Sequence, residues 1–231
     1  GYQETRSYKR GLLGTESMNQ LKSVDQLQAQ LRSVQWNAAA GLLAHKQELG
    51  RIITLEHGKP WTEGIAEVEY AAGFYRAAAD QLEILAPQTL AEPIRGCRWT
   101  IHQRPAGVAG LITPWNFPIA MLAKKLSAAL AAGCASVTKP AGLTPLTCIA
   151  FWQLLEGVGL PPGLANLVIG QSAPIGKVLC THPAVRVISF TGSTAVGQLL
   201  LRQAAPHVKR LALELGGNAP FLVFADADLA A

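Results

Sequence analysis

Four short apolar runs of this chain each lead into a polar residue of a type that can take part in chemistry. The four residues are Asn116, Lys139, Ser193 and Glu214. A side-chain amide can stabilise an oxyanion, an ammonium group can bind ribose or phosphate, and a carboxylate can act as a general base. The same residue types also occur at the ends of strands for purely structural reasons, so each position has two interpretations.

Asn116 lies in the segment 113–118, where an apolar run meets two prolines before a predicted helix. Its side chain can cap that helix, with Pro118 at the first helical position, or it can stabilise an oxyanion beside the helix N-terminus. Lys139 stands at the tip of the run 136–139. Its side chain can reach out to solvent, or it can bind the ribose or phosphate of a dinucleotide.

Ser193 follows a glycine turn and begins a predicted helix. Free N–H groups and a hydroxyl at such a turn suit a pyrophosphate, although glycine turns are common and this one lacks the G-x-G-x-x-G pattern. Glu214 ends an apolar run just before the glycine pair 216–217. Desolvation there would raise the pKa of Glu214 and make it a general base. The alternative is a structural ion pair with a nearby lysine or arginine.

These residues require a scaffold that brings the ends of their apolar runs together. From about Ile94 onward, β-branched runs alternate with Ala- and Leu-rich segments, which is typical of βαβ units and a parallel sheet. The predicted strands are 108–113, 136–139, 165–169, 186–191, 210–215 and 221–224, and the predicted helices between them are 119–132, 145–158, 174–181 and 194–205. This pattern indicates a doubly wound, mostly parallel α/β fold, which binds ligands beyond the carboxyl ends of its strands.

The residues before Ile94 have a helical pattern. Apolar residues recur at helical spacing from Asn19 to Leu55, which predicts two helices. The segment 61–85 is predicted to form one long helix that ends before Pro87. We therefore divide the chain into an N-terminal helical region, 1–93, and an α/β domain, 94–231.

Composition argues against several classes of protein. The chain is 49% hydrophobic and only 15% charged, so it is expected to be globular rather than disordered. The net charge of +5 comes from scattered basic residues, which argues against a nucleic-acid partner. The four cysteines lack the spacing of a metal site or a disulfide framework. No apolar stretch is long enough for a membrane span and no signal-peptide pattern is present, so a cytoplasmic location is expected.

In order and spacing, the motifs PWNFP, TKPA, SFTGST and ELGGNAP resemble the aldehyde dehydrogenase superfamily, and in particular its succinate-semialdehyde dehydrogenase-like members. The resemblance begins with the segment 54–60 and runs to the C-terminus. It implies a Rossmann-like domain that binds NAD or NADP at 94–231. It also implies oxidation of an aldehyde, such as succinate semialdehyde or a related semialdehyde, to the carboxylic acid. In that family a cysteine thiolate attacks the aldehyde, a hydride passes to nicotinamide, and water hydrolyses the thioester.

The resemblance also implies a role for each motif residue. Asn116 would be the oxyanion donor and Glu214 the general base. Lys139 would hold the adenosine ribose, with Ser193 and Trp115 beside the pyrophosphate. The full cofactor-binding set would be Thr113, Pro114, Trp115, Lys139, Ala141, Gly142, Gly176, Thr191, Gly192, Ser193, Leu215 and Gly216, with Thr191, Leu215 and Gly216 lining the nicotinamide. Phe117 and Met121 would face the aldehyde, and no metal is expected.

Two departures from the family pattern bear on specificity. Many NAD-preferring members carry a glutamate three residues after the ribose lysine, where this chain has Gly142. That glutamate would repel a 2′-phosphate, so its replacement makes NADP admissible. Semialdehyde enzymes commonly carry an arginine where this chain has Lys124. A lysine supplies the charge for a substrate carboxylate but not the bidentate fork.

The third departure concerns the nucleophile. The family's catalytic cysteine lies well beyond its general base, whereas all four cysteines of this chain precede Glu214. We therefore expect a part of an enzyme, inactive alone, that lacks the catalytic and oligomerisation segments of a homodimeric or homotetrameric parent. Such a part should expose an apolar face where the catalytic domain would dock.

A non-catalytic dinucleotide-binding module or inactive homologue is the alternative, and the residues that follow Ala231 in the gene would separate the two. A dehydrogenase that uses a lone catalytic histidine is excluded, because none of the five histidines ends a strand in the predicted sheet region.

Overall fold

The computed structural model describes residues 24–91 and 95–229, and its first part is helical. Helix α1 (Val24–Ala44) is followed by α2 (Lys46–His57), and α3 (Trp61–Asp80) continues into a 3-10 turn at Gln81–Leu85. The prediction of two helices followed by one long helix that ends before Pro87 is confirmed. The predicted positions 19–23 lie outside the described residues.

A short antiparallel hairpin follows the helices. Strand β1 (Gln88–Leu90) pairs with β2 (Trp99–Ile101), with Thr89 opposite Thr100, and all six residues are exposed. The sequence did not predict this hairpin, because strands of three residues are too short to show a periodic pattern. The hairpin joins residues on either side of the boundary that we placed at 93–94.

The main sheet has five parallel strands in the order β5-β4-β3-β6-β7. The strands are β3 (Val108–Ile112), β4 (Ser136–Lys139), β5 (Ala165–Leu167), β6 (Val185–Thr191) and β7 (Arg210–Glu214). Chain order reverses at β3, which stands between β4 and β6, and this is the switch point at which doubly wound folds bind ligands. Five of the six predicted strands are therefore confirmed.

The sixth predicted strand, 221–224, is wrong. These residues form no strand, and the side chains of Phe221, Leu222 and Phe224 are 90%, 76% and 72% exposed. An apolar β-branched run forms a strand only where a neighbouring strand completes its backbone hydrogen bonds. Within the part of the chain that the structure describes, no strand lies beside this segment. It therefore contributes an exposed apolar surface after β7.

Helices cover both faces of the sheet. They are α4 (Ala120–Ala131), α5 (Pro145–Gly157), α6 (Ser172–Thr181) and α7 (Thr194–Ala204). The N-terminal helices pack with α4 and α5 on the face of Ala109 and Leu111, in the larger of two apolar cores. Helices α6 and α7 cover the other face, where Ile188 and Phe190 belong to the smaller core. The doubly wound fold predicted from the sequence is confirmed.

Helices α2 and α3 approach closely because glycines face each other where they cross. A Cβ added to Gly64 would lie 2.6 Å from the carbonyl oxygen of Gly50, and one added to Gly50 would lie 2.9 Å from the backbone nitrogen of Ile65. Backbone atoms at such distances cannot move aside as a flexible side chain can. The contact therefore holds α2 and α3 together on either side of the connecting segment, 58–60.

We predict that Gly64→Ala destabilises the protein by about 1–3 kcal/mol through overpacking against α2, although alanine is the better helix former. Gly73→Ala in the same helix is the matched control, because a Cβ there meets nothing within 4 Å. The control should gain up to about 1 kcal/mol from helix propensity. Urea unfolding of both variants measures the difference, and equal midpoints would contradict the packing explanation.

Candidate active site

The carboxyl ends of β4, β3, β6 and β7 form one continuous edge of the sheet. The register places Ile112 of β3 beside both Lys139 and Phe190, and Thr191 of β6 beside Glu214. Four neighbouring strands at the usual spacing span roughly 14 Å. The structure therefore brings the four segments that were singled out in the sequence to the same side of the molecule, in the order β4, β3, β6, β7.

The loop after β3 carries Asn116 and leads into α4. Helix α4 begins at Ala120, so Pro118 is not its first residue. Of the two interpretations of Asn116, the helix cap is the one that the structure does not support. The Asn116 residue is exposed, and its backbone carbonyl accepts a hydrogen bond of 3.0 Å from Lys59 Nζ. The exposed amide is thus free of the capping role that was its simplest structural explanation.

A buried ion pair caps α4 instead. Lys59 Nζ lies 2.6 Å from Glu67 Oε2, with side-chain exposures of 8% and 1%. Glu67 Oε1 accepts hydrogen bonds from the backbone N–H groups of Ile119 (2.9 Å) and Ala120 (3.2 Å). Lys59 Nζ also lies 4.4 Å from the ring centroid of Phe117. The sequence did not predict these contacts, because Lys59 and Glu67 have no local signal that relates them to residues more than fifty positions away.

The last two residues of α2 also contact the edge of the sheet, at the loop after β3 and at the start of α5. The His57 ring stacks on Trp115, with centroids 5.4 Å apart and planes at 29°. Glu56 accepts hydrogen bonds from the backbone of Leu146 and Thr147, and from the Thr147 hydroxyl at 2.7 Å, at the start of α5. The end of α2 therefore supports both the loop after β3 and the start of α5.

Lys139 is buried at the end of β4. Its Nζ donates to the carbonyl of Pro140 at 2.8 Å, and burial lowers the pKa of the ammonium group. The side chain does not reach out to solvent, which removes one of the two interpretations of this residue. The Thr113 hydroxyl is buried and has no hydrogen-bond partner among the described residues. In the loop beyond, Ala141 is half-buried and Gly142 is exposed.

The turn between β6 and α7 is exposed at its helix end. Ser193 is the N-cap of α7, and its hydroxyl accepts a 3.4 Å hydrogen bond from Val196 N. Gly197, one turn into the helix, has Leu215 against it, and an added Cβ would lie 2.4 Å from Leu215 Cδ2. The predicted residues Ser193 and Leu215 thus lie close to the same helix turn, because Gly197 has no side chain.

Gly176 is the one predicted cofactor residue that the structure places away from the exposed edge. It lies inside α6 and is buried, and a Cβ added there would be 3.6 Å from Leu200 Cδ2 of α7. Its position is that of a small residue in a helix–helix contact.

Glu214 lies at the end of β7 with its side chain half-exposed. Lys124 Nζ donates to Oε1 at 2.7 Å, and the Thr191 hydroxyl lies 3.5 Å from Oε2. The hydrogen bond from Lys124 is the main reason why the pKa of Glu214 is lowered. The expectation that desolvation raises this pKa is therefore wrong, and the structural ion pair weighed against it is present. Glu214 is a carboxylate at neutral pH.

Lys125 is a residue that the sequence did not bring to attention. It is buried, and its Nζ donates to Ser189 Oγ at 2.9 Å. Burial lowers the pKa of Lys125 to about 8, an effect that the charge of Glu214 opposes and that of Lys124 reinforces. An amine with such a pKa can hold or release a proton near neutral pH. Two adjacent lysines on an apolar helix give no indication of which one is buried.

The cysteine nearest to the loop of Asn116, Cys148, is not an activated thiol. Cys148 is buried against the carbonyl of Pro118, 3.6 Å away, and burial raises the pKa of its thiol to about 12. Cys134 and Cys180 are buried as well, and Cys97 is exposed just before β2. A thiol whose pKa is raised is a poor nucleophile.

Comparison with known proteins places this edge in context. The model of the aldehyde dehydrogenase family matches residues 15–231. The chain is 50% identical over 188 residues to the mitochondrial succinate-semialdehyde dehydrogenase of Arabidopsis thaliana, covering 81% of this chain and 36% of that protein. It is 44% identical to the NADP(+) succinate-semialdehyde dehydrogenase of Escherichia coli, covering 81% of this chain and 39% of that protein.

Solved structures agree with the sequence relatives. A succinate-semialdehyde dehydrogenase from Burkholderia pseudomallei superposes with a TM-score of 0.83 at 42% identity, over 99% of this chain and 47% of that one. The chain thus spans less than half the length of the proteins that it matches. None of the helices in the described residues is both long and apolar enough to cross a membrane.

We predict that Lys124→Gln raises the pKa of Glu214 toward its ordinary value, because the variant removes the donor and the positive charge that favour the carboxylate. The midpoint for protonation of Glu214 should move to higher pH, which a carbon-13 NMR titration of the carboxyl carbon measures. Lys46→Gln is the matched control, since it removes a lysine that forms an exposed ion pair elsewhere. Its Nζ lies 2.6 Å from Glu69 Oε1, and the two residues belong to α2 and α3. A Glu214 midpoint equal in both variants would rule out the proposed cause.

Proposed function

The chain belongs to the aldehyde dehydrogenase family, and from that premise we propose that it carries the cofactor-binding edge of an enzyme that oxidises an aldehyde to the carboxylic acid with NAD or NADP. The observation that supports this most directly is the arrangement of Asn116, Lys139, Ser193 and Glu214 along the carboxyl ends of four neighbouring parallel strands. Ligands of doubly wound sheets bind at this edge.

The residues at the edge fit a dinucleotide. The buried Thr113 hydroxyl lacks a partner among the described residues, and such a group gains from a ligand that supplies one. Gly142 leaves open space where a side chain would otherwise project. The exposed N-terminus of α7 behind Ser193 presents backbone N–H groups to a pyrophosphate. Lys139 would donate hydrogen bonds to the ribose hydroxyls in place of the one that it now donates to the Pro140 carbonyl. The cofactor, when bound, supplies the acceptor for the hydride.

The other predicted residues divide between the two ends of that cofactor. Trp115 and Pro114 would lie beside the pyrophosphate, with Ala141 beyond the ribose lysine. The residues proposed for the nicotinamide, namely Thr191, Leu215 and Gly216, lie at the end of β6 and just after β7. The hydrogen bond of 3.0 Å from Gly192 N to Glu214 O holds these two turns together.

Asn116 and Glu214 would supply the protein's share of the chemistry. A neutral amide donates a hydrogen bond to an oxyanion without a change of protonation. The carboxylate of Glu214 is ionised at neutral pH and can accept a proton from water or from a thiol. The buried amine of Lys125 has a pKa of about 8 and interacts electrostatically with Glu214. Its protonation state would therefore affect how readily Glu214 accepts a proton.

The substrate would be an aldehyde that carries an acid group. The proposed substrate residues Phe117, Met121 and Lys124 belong to the loop after β3 and the first half of α4. Among these three residues, Lys124 supplies the positive charge, and in the structure its ammonium group donates a hydrogen bond to Glu214. A substrate carboxylate would therefore share the ammonium group with Glu214. Relatives of this chain are named for succinate semialdehyde, whose second group is a carboxylate.

We predict that Gly142→Glu shifts cofactor preference toward NAD. The new carboxylate would bind the ribose hydroxyls of NAD and repel the 2′-phosphate of NADP, and open space at this position allows the side chain in. The ratio of the NADP and NAD dissociation constants should rise by about tenfold or more, since each 1.4 kcal/mol is a factor of ten. Gly142→Gln is the uncharged control. An unchanged ratio in fluorescence titrations would contradict this arrangement of the ribose.

The proposed function is tested with the complete protein expressed from its gene, supplied with NAD or NADP and with succinate semialdehyde or a simple aliphatic aldehyde. We expect reduced cofactor to accumulate, and Asn116→Ala to lower kcat by about 100-fold or more through loss of the oxyanion donor. Cofactor binding without turnover of either aldehyde would favour a non-catalytic dinucleotide-binding module. Absence of binding to both cofactors would overturn the proposal.

A further inference from the structure

The buried ion pair of Lys59 and Glu67 contacts the proposed oxyanion loop at both of its ends. At the near end, Lys59 Nζ donates to the Asn116 carbonyl at 3.0 Å and lies 4.4 Å from the Phe117 ring centroid. At the far end, Glu67 Oε1 accepts from the first backbone N–H groups of α4 at 2.9 and 3.2 Å. Glu67 Oε2 and Lys59 Nζ, 2.6 Å apart, join the two ends.

Capping alone does not explain the lysine. At α5, the carboxylate of Glu56 caps the helix with no lysine bonded to it among the described residues. At α4, the capping carboxylate is paired with a buried ammonium group that reaches the backbone of Asn116. Burying such a pair carries a desolvation cost that its own attraction often does not offset. The pair does, however, leave the loop between β3 and α4 with few ways to move.

We propose that Lys59 and Glu67 are positioning residues that hold the amide of Asn116 at the place where an oxyanion forms, and hold the Phe117 ring at the substrate mouth. The proposal rests on the proposed function for the role of Asn116. A preorganised donor is effective because the protein does not reorganise as charge develops. Displacement of a catalytic group by about 1 Å can cost roughly 100-fold in rate.

The decisive variant is the double substitution Lys59→Met and Glu67→Gln in the complete protein. The introduced glutamine amide would keep an oxygen that accepts from the N–H groups of α4, and no unpaired charge is left in the interior. The double substitution removes the ion pair, the hydrogen bond to the Asn116 carbonyl and the positive charge at Phe117. We expect kcat to fall by about 10- to 100-fold. The dissociation constant for the cofactor should change by a smaller factor, because most of the residues proposed to hold it lie on the loops after β4, β6 and β7.

The matched control is the double substitution Lys46→Met and Glu69→Gln. This pair has the same separation of 2.6 Å, but its side chains are 36% and 46% exposed, and the hydrogen bond between them reaches no loop of the edge. It should leave kcat and cofactor binding unchanged.

A comparison in the Asn116→Ala background separates positioning from a general structural role. If the pair acts through Asn116, its removal costs little once that amide is gone, so the two losses in kcat are not additive. A general loss of structure would reduce kcat by the same factor in both backgrounds. Additive losses, or an unchanged kcat in the double variant, would overturn the proposal.

A second readout does not depend on activity. Fluorine NMR of the protein labelled with 5-fluorotryptophan gives a separate signal for each tryptophan, and Trp115→Phe assigns the signal next to Asn116. This signal should shift or broaden in the Lys59/Glu67 double variant and stay in place in the Lys46/Glu69 control. If the wild-type protein oxidises no aldehyde, the proposed function fails, and the Trp115 signal still decides whether the pair positions the loop. An unmoved signal would then refute it.

Lys59→Arg is a second variant that tests the proposal if the double variant does not fold. It keeps the buried positive charge but replaces a compact ammonium group with a wide planar fork, which displaces the donor from the Asn116 carbonyl. We expect the folded Lys59→Arg protein to lose kcat in the same non-additive way. Full activity in this variant, together with an unmoved Trp115 signal, would contradict the positioning role.

Discussion

Parallel hydrogen bonding between β4, β3, β6 and β7 is the constraint on which the rest of the site depends. Because all four strands run in one direction, their carboxyl ends reach the same edge. Helices cover both faces of the sheet, so the edge is where polar groups can meet a ligand. Asn116 and Glu214 are 98 positions apart in the chain, yet this geometry brings them to the ends of two strands, β3 and β7, that are separated only by β6.

The N-terminal helical region supports that edge rather than merely covering the sheet. The close glycine contact holds α2 and α3 against each other. From the end of α2, Glu56 reaches the start of α5 and His57 stacks on Trp115, and in the connecting segment Lys59 joins Glu67 beneath the loop of Asn116. Loops are usually the mobile part of a fold, and here two of them are held by side chains from another layer.

Two neighbouring lysines of α4 place their ammonium groups in different surroundings at the edge of the sheet. Lys124 and Lys125 are neighbours in sequence but point into different surroundings, one half-exposed beside Glu214 and the other buried beside Ser189. The exposed lysine lowers the pKa of Glu214, and burial lowers the pKa of Lys125 to about 8. The two neighbouring lysines thus differ in their effects: Lys124 lowers the pKa of Glu214, whereas Lys125 has its own pKa lowered because burial disfavours a charge.

By itself, the sequence determined the order of elements, the parallel sheet, the family resemblance and the four polar strand ends, because periodicity and turn residues are local signals. It misplaced a strand at 221–224, since strand formation needs a neighbour, it left open whether Asn116 caps a helix, and it assigned Glu214 a raised pKa. Only the tertiary structure decided those points. A cap supplied by Glu67, a donor such as Lys124 and the burial of Lys125 are set by groups distant in sequence or by packing, and no local pattern records them.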